Sequence, residues 1–397
     1  MPSHSRRRFL AAVGAASTVL TGCLSGGDAT PSGDLGTVDG SWRMAGRNGG
    51  HTRRVPDGPA DPETVWLTEL DGARATGTPA VVRGDMYVPV DAASDSSRYR
   101  HRIHALEAAT GEERWQVPLR ANPNGPPAVR GNHVVVTARR SVERGRVVCF
   151  DSRYGDEHWL YDVDARLTAP PTIAGAVAYV PDSDGWVHAL SVFDGAVRWS
   201  RRLGDDDDHA PSFSEAVAVH DGVLYVGSSS GRTGVTALDA ATGAVRWQLS
   251  TAPVMGGPVV HGDRVVVRTR HAVVAFDLDG THRWSFGVAD GDVLPVAVDD
   301  QHVYVATRDR LSPRISAVDR RGETVWTYES AEQRVGTPTV VGDSVVVRGR
   351  DSLVGLSRDT GEERWTRSPD GTGRAVVTPN AMLLSGYGGR VVALGDG

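Results

Sequence analysis

Positions 237–247 read Ala-Leu-Asp-Ala-Ala-Thr-Gly-Ala-Val-Arg-Trp. This stretch joins a short apolar run to an acidic residue, a turn at Thr-Gly, and a tryptophan four positions after the glycine. Tryptophans recur in related settings 37 to 49 residues apart, and seven of the eight follow a glycine by four positions: Trp66, Trp115, Trp159, Trp199, Trp247, Trp284, Trp326 and Trp365. A period of about 40 residues is typical of a repeat architecture.

Each repeat contains four short runs of β-branched residues separated by turns. One pair of runs is Pro258-Val259-Val260 followed by Val265-Val266-Val267, and no segment shows sustained helical periodicity. Four short strands in about 40 residues are typical of a propeller blade. Residues 62–397 divide into eight units that average 42 residues. The sequence therefore predicts an all-β fold: an eight-bladed β-propeller of four-stranded antiparallel blades with tryptophan-docking repeats.

Two incomplete repeats lie at the ends of this region. Trp66 has no Ala-Leu-Asp run before it, and the run Val391-Val392-Ala393-Leu394 has no tryptophan after it. We expect the N-terminal strand around Trp66 to close the last blade, because closure leaves no open sheet edge.

Composition excludes several classes of protein. The formal net charge is −6, and all 43 positive residues are arginine, which argues against a generally basic nucleic-acid binder and predicts no nucleic-acid partner. Gly 47 and Pro 22 argue against a helical bundle, and two cysteines are too few for a disulfide framework.

The N-terminal residues resemble an export signal. Arg6 and Arg7 precede an apolar stretch from Phe9 to Leu20 that is too short to span a bilayer as a helix. The opening resembles a twin-arginine signal, and Leu20-Thr21-Gly22-Cys23 resembles a lipobox. We expect residues 1–22 to be a signal peptide, Cys23 to carry lipid, residues 23–41 to be a flexible tether, and residues 42–397 to form the propeller.

The stretch 237–247 resembles the repeats of quinoprotein-type, or PQQ-like, β-propellers, and the resemblance covers nearly the whole mature chain. Trp42-Arg43-Met44 with Asn48 and Thr52 also resembles the lead-in of propeller lipoproteins. The dehydrogenases of this family carry pyrroloquinoline quinone (PQQ), calcium, a catalytic aspartate and a cysteine pair, and their chains are longer. The propeller lipoprotein of the outer-membrane barrel-assembly machine matches this length and lipobox better, which implies a non-catalytic scaffold.

No catalytic or metal-binding constellation stands out in the sequence. It contains no histidine and carboxylate cluster with metal-ligand spacing, no phosphate-binding glycine loop and no nucleophile elbow. Cys149 stands where other repeats have alanine and is read as a buried small side chain. We therefore predict no catalytic residue, no metal and no cofactor, and PQQ belongs only to the enzyme alternative.

The irregular connections fall on one face of the predicted propeller, and variable loops on a rigid scaffold are common binding sites. Arginines recur there at a similar position in several repeats, and they form the candidate binding face for an anionic ligand, glycan or acidic partner: Arg139, Arg268, Arg270, Arg308, Arg310, Arg348 and Arg350. The acidic run Asp205–Asp208 is a candidate for a cation or a solvated loop.

These observations favour a membrane-anchored, extracytoplasmic lipoprotein that acts as a non-catalytic scaffold or partner-binding module. Its expected partner is another membrane or surface protein, and its expected location is the outer face of the cytoplasmic membrane. The alternatives are a PQQ-dependent dehydrogenase-like enzyme and a module that binds a small ligand or polymer.

Overall fold

The computed structural model shows only β-strands as regular secondary structure in the part of the chain that it describes. That part comprises residues 31–92, 101–204, 212–213, 215–230, 234–288, 291–309, 312–332, 334–370, 373 and 375–396. No described segment forms a helix long and apolar enough to cross a bilayer.

The strands form eight sheets arranged in a ring, each built on four antiparallel strands, which confirms the eight-bladed β-propeller. We name the four main strands of each blade A to D from the axis outward. In blades 1 to 4 they are Ala80–Val82, Asp85–Ala92, His101–Glu107 and Glu113–Leu119; Ala128–Arg130, His133–Arg139, Gly145–Asp151 and Glu157–Val163; Thr172–Ala174, Val177–Pro181, Trp186–Ser191 and Val197–Arg202; and Ala218–His220, Val223–Gly227, Val235–Asp239 and Val245–Leu249.

Blades 5 to 8 repeat the order. Their strands are Val259–His261, Arg264–Arg268, Ala272–Asp277 and His282–Gly287; Ala297–Val298, Val303–Arg308, Arg314–Val318 and Thr324–Glu329; Thr339–Val341, Ser344–Arg348, Leu353–Ser357 and Glu363–Arg367; and Ala375–Thr378, Ala381–Ser385, Arg390–Asp396 and Pro62–Glu69. Short strands extend four sheets: Ser41–Trp42 and Ala73–Thr76 in blade 1, Asn122–Pro123 in blade 2, Asp292–Val293 in blade 6 and Arg54–Val55 in blade 7.

The antiparallel order gives the disc two different faces. The A–B and C–D turns lie on one face, which we call the turn face. The B–C connections and the links from strand D to the next blade lie on the other, which we call the loop face. Strands A of neighbouring blades contact one another around the axis.

The outer strand of blade 8 comes from the N-terminal side of the propeller. Pro62–Glu69 pairs antiparallel with Arg390–Asp396, and Trp66 on this strand is 1% exposed. One sheet therefore joins residues that are more than 300 positions apart in sequence, and the N-terminal strand completes the four-stranded sheet of blade 8.

The repeated glycine and tryptophan meet across neighbouring blades. Gly243 has a φ of +71°, and a Cβ there would lie 2.7 Å from the Trp199 ring of the preceding blade. The Trp199 indole N–H donates to the Ala240 carbonyl at 3.1 Å. The same close approach recurs in six further pairs: Gly111 with Trp66, Gly155 with Trp115, Gly195 with Trp159, Gly280 with Trp247, Gly322 with Trp284 and Gly361 with Trp326. Glycine is needed because a side chain would collide with the ring, and the left-handed φ favours glycine independently.

Residues 31–41 differ from the prediction of a flexible tether that extends to residue 41. Leu67 N–H donates to the Pro31 carbonyl, Gly33 N–H to the Val65 carbonyl and Leu35 N–H to the Ala109 carbonyl, all at 2.8 to 3.0 Å. This part of the chain packs along blades 8 and 1 because its backbone groups find partners there. Residues 23–30 lie outside the described residues.

Candidate functional site

Residues 41–55, which we call the axial segment, line the inside of the ring of A strands. Backbone N–H groups of the A strands donate to its carbonyls at 2.8 to 3.0 Å in five blades: Val129 to Arg43, Val219 to Gly49, Val260 to Gly50, Val298 to Thr52 and Val340 to Arg53. The two strands within the segment pair with blades 1 and 7. The axial segment therefore ties the inner edges of most blades to one another.

The axial segment is also held by its own hydrogen bonds. Asn48 Nδ2 donates to Thr52 Oγ1 at 2.9 Å, and Arg53 N–H donates to the Gly46 carbonyl at 3.0 Å. Arg47, His51 and Arg53 have φ values of 80°, 57° and 52°, a region that non-glycine residues seldom adopt. Such conformations persist only where the surrounding structure fixes them, so the axial segment is rigid and forms a floor for any cavity along the axis.

A cavity of about 670 Å³ opens toward the loop face beside this floor. It draws residues from the axial segment and from blades 4 to 8, including Arg53, Glu215, Met255, Leu294 and Thr337. A second cavity of about 280 Å³ shares four lining residues with it: Arg53, Glu215, Arg268 and Pro295. We call the two together the axial cavity.

The structure places four of the seven candidate arginines in the lining of this cavity: Arg268, Arg270, Arg308 and Arg348. Arg350 is exposed next to them, and its N–H donates to the Glu332 carboxylate. Arg139 is exposed at the end of strand B in blade 2, outside this lining. Arg310 lies outside the described residues, as do Arg6, Arg7 and Cys23.

The four arginines have different environments. Arg268 is half-buried, and its Nη1 donates to the Val293 carbonyl at 2.7 Å. Arg348 is also half-buried, and burial lowers its guanidinium pKa while the Glu332 and Asp351 carboxylates oppose that shift. Arg308 and Arg270 are exposed at the rim, and Arg270 Nε lies 3.2 Å from Asp292 Oδ1. Strand B carries Arg268 and Arg348 into the cavity wall, whereas Arg270 and Arg308 lie at its rim.

Sequence reasoning missed Arg53 and Glu215 as members of the site. Arg53 belongs to the lead-in Asn48 to Arg53, which carries no repeat, and Glu215 lies in the link into blade 4. The only available signal was the run Gly46-Arg47-Asn48-Gly49-Gly50, whose glycines indicate close backbone packing.

Cys149 has the environment of a structural residue. It is fully buried between blades, and burial raises the pKa of its thiol to about 12. A thiol with this pKa is almost entirely protonated at neutral pH and is a poor nucleophile.

One described cluster resembles a catalytic triad in its connectivity. His188 Nδ1 lies 3.0 Å from Ser200 Oγ, and His188 Nε2 lies 3.2 Å from Asp182 Oδ2. The Asp182 carboxylate also accepts the N–H groups of Asp184 and Trp186, which holds the B–C connection of blade 3. The same position in blade 1 carries His104, whose Nδ1 lies 2.6 Å from Glu113 Oε2. A buried histidine that ties strand C to its neighbours is therefore a repeated structural feature.

The quinone of the enzyme alternative is a planar tricarboxylate that works with calcium in the dehydrogenases. The arginines of the axial cavity suit its carboxylates. However, the described residues include no group of three or more His, Cys, Asp or Glu side chains that could hold a metal ion. Asp205–Asp208 lies outside the described residues.

Solved structures with the same fold include scaffolds and enzymes. BamB from Moraxella catarrhalis superposes with a TM-score of 0.65 at 18% identity, covering 84% of this chain and 99% of that chain. A quinohemoprotein alcohol dehydrogenase from Pseudomonas putida HK5 superposes with a TM-score of 0.70 at 14% identity, covering 90% of this chain and 80% of that chain. At these identities the structural similarity supports the fold alone.

Sequence comparison is more specific. The outer membrane protein assembly factor BamB of Yersinia pestis is 26% identical over 306 residues, a match that covers 72% of this chain and 65% of the relative, just under two thirds of its length. The family profile described as outer membrane protein assembly factor BamB matches residues 58–207, 99–252, 202–293 and 270–397. These matches together cover well over half of the sequence, so the chain belongs to the PQQ-like propeller family of the outer membrane protein assembly factor BamB.

Proposed function

We propose that this protein is an exported, lipid-anchored, non-catalytic scaffold that holds an acidic segment of another membrane or surface protein at its axial cavity. The observation that carries the proposal is the convergence of arginines at the end of strand B from blades 5, 6 and 7 on one cavity: Arg268, Arg308 and Arg348. Family membership supports a scaffold, because the family is named for an assembly factor.

The chemistry of the cavity suits carboxylates. Guanidinium groups make charge-assisted, often bidentate hydrogen bonds to carboxylates, and partial burial strengthens such bonds because less water competes. Arg308 and Arg270 at the rim would meet the ligand first, whereas Arg268 and Arg348 lie deeper in the wall. The net charge of −6 gives no long-range attraction for an acidic segment, so recognition depends on short, direct contacts.

The scaffold presents this site in a preformed state. Tryptophan docking fixes neighbouring blades, and the axial segment fixes their inner edges. A rigid site spends little free energy on ordering itself when a partner binds. This rigidity suits a protein whose task is to hold a partner.

The anchoring part of the proposal depends on Cys23. We expect Cys23→Ser to move the protein from the membrane fraction to the soluble fraction, or to leave an unprocessed precursor, because the sulfur that would carry lipid is absent. Fractionation and intact mass of the parent and the variant measure this. A variant that is processed and remains membrane-bound like the parent would contradict the lipid anchor.

Arg6→Lys with Arg7→Lys should separately retain the folded precursor inside the cell.

The binding part is tested with a fluorescent octaglutamate peptide and with pull-down from solubilised membranes. We expect Arg270→Glu with Arg308→Glu to weaken peptide binding at least tenfold, because two attractive contacts become repulsive. Exposed substitutions of this kind shift stability by about 0.5 kcal/mol or less, so folding is retained. Fluorescence anisotropy gives the affinity, and the same variant should lose the protein captured by the parent.

Arg144→Glu is the matched control, since Arg144 is exposed on the loop face of blade 2, outside the axial cavity. Equal binding by the parent and the double variant would refute the axial cavity as the partner site. A visible absorption band and dye reduction after mixing with PQQ and Ca²⁺ would instead support the enzyme alternative.

A further inference from the structure

The turn face carries a second basic site, separate from the axial cavity. A solvent-open pocket of about 460 Å³ lies between the axial segment and the inner ends of blades 2 and 3. Its charged lining consists of Arg43, Arg47 and Arg130, and its polar lining includes Ser41 and Asn48. We call it the arginine pocket.

Arg47 is fixed at the wall of this pocket. Its Nη1 donates to the Arg54 carbonyl at 2.7 Å, and its backbone N–H donates to the Met44 carbonyl. Its Nε is buried and has no hydrogen-bond partner among the described residues. Burial, together with the positive charge of Arg54, lowers the pKa of the Arg47 guanidinium.

Arg130 and Arg43 are positioned from blade 2. The Arg130 guanidinium lies over the Phe193 ring at 5.7 Å, a cation–π contact, and its Nη1 is buried with no hydrogen-bond partner in the described structure. Arg43 is exposed, its Nε lies 3.3 Å from Ser41 Oγ, and its carbonyl accepts from Val129 N–H.

The three arginines have no carboxylate within ion-pair distance among the described residues, and the lining contains no acidic residue. Other arginines on the turn face are paired: Arg54 Nη1 lies 2.8 Å from Asp300 Oδ2, and Arg320 Nη2 lies 2.7 Å from Asp263 Oδ2. An uncompensated triple positive charge in a concave site is unusual for a chain with a net charge of −6. An anion would restore the missing interactions.

We propose that the arginine pocket binds a phosphate group. A phosphate monoester presents three unesterified oxygens and up to two negative charges on one compact centre, so it can accept from three guanidinium groups at once. A carboxylate has only two oxygens and one charge, and would leave one arginine unmatched. The pocket is therefore better suited to phosphate than to the acidic peptide proposed for the axial cavity.

The phosphate can come from a soluble molecule or from a lipid headgroup. The described N-terminal residues run along this same face: Leu35 N–H donates to the C–D turn of blade 1, and Asp39 N–H donates to Asn380 in the A–B turn of blade 8.

The test uses the full chain with Cys23→Ser, so that no acyl chain contributes to membrane binding. In one arm, calorimetry and thermal unfolding measure binding of inorganic phosphate and glycerol phosphate against sodium chloride of equal ionic strength. In the other, sedimentation compares vesicles that contain phosphatidic acid, whose headgroup is a phosphate monoester, with vesicles of phosphatidylcholine. We expect Arg43→Gln with Arg130→Gln to weaken binding at least tenfold in the arm that shows it.

Arg83→Gln is the matched control, because Arg83 is exposed in the A–B turn of blade 1 and lies outside the pocket. Binding of soluble phosphate that the pocket variant loses supports the proposal with a soluble source. Binding to phosphatidic acid vesicles alone, with the same loss, supports it with a lipid source. No binding in either arm, or an equal loss in Arg83→Gln, overturns it. None of these outcomes bears on peptide binding at the axial cavity.

Discussion

Deletion of residues 1–70 should abolish cooperative folding of this propeller. The deletion removes the outer strand of blade 8, so that Arg390–Asp396 becomes an unpaired edge, and it removes the buried Trp66. It also removes the axial segment, whose carbonyls accept from the A strands of five blades. Exposed edge strands promote aggregation, and the truncated chain should form inclusion bodies or unfold without a sharp transition. Circular dichroism and differential scanning calorimetry measure the outcome.

The control is a chain that begins at residue 31. It keeps the axial segment, the closing strand and the backbone bonds of Pro31, Gly33 and Leu35 to the propeller. We expect its unfolding midpoint to match that of the full chain within about 2 °C, because it loses no described contact. If the chain without residues 1–70 unfolds with the same midpoint and cooperativity as this control, the closing strand and the axial segment contribute nothing to the ring.

The blades were predictable because their determinants are local and repeated. The glycine that precedes each tryptophan by four positions is needed at a φ such as the +71° of Gly243, and the same residue meets the tryptophan of the preceding blade. The sequence pattern, the turn residues and the packing therefore all favour the same blade structure in each repeat. The incomplete repeats around Trp66 and Val391 identify two strands that the structure pairs.

The axial segment could not be predicted, because its contacts are distant and not periodic. Val340 N–H of blade 7 donates to the Arg53 carbonyl, although the two residues are far apart in sequence. Arg47 and Arg53 adopt left-handed conformations that single-residue preferences disfavour. Their geometry is set by the eight inner strands that surround the segment, so it appears only once the ring is formed.

The positions of the candidate arginines could be predicted in part. Their recurrence at the end of strand B places Arg268, Arg308 and Arg348 at equivalent positions of three blades, and symmetry then directs them toward one axis. Burial does not follow from recurrence. Arg308 is exposed, whereas Arg348 and Arg268, whose Nη1 donates to the Val293 carbonyl, are half-buried.

Acid should destabilise the protein through His51 of the axial segment. His51 is 7% exposed, its Nε2 lies 3.1 Å from Thr172 Oγ1, and that hydroxyl donates to the Val217 carbonyl. Burial, aided by the positive charge of Arg53, lowers the pKa of His51 from 6.5 to about 3. The unfolded chain therefore binds a proton at a higher pH than the folded chain does. The contribution of the neutral imidazole is complete above pH 6.5 and is lost as the pH falls toward 3.

The loss across that range should reach roughly 4 kcal/mol, and urea unfolding between pH 7 and pH 4 should show most of it. His51→Gln keeps a donor for Thr172 but cannot titrate, so its stability should fall less steeply than that of the parent. His282→Gln, at an exposed position in blade 5, is the matched control. The NMR signal of the His51 ring should show no protonation above pH 4 in the folded protein. If the stability of the parent and of His51→Gln falls equally with pH, or if the His51 ring titrates near 6.5, the imidazole is not buried between the axial segment and blade 3.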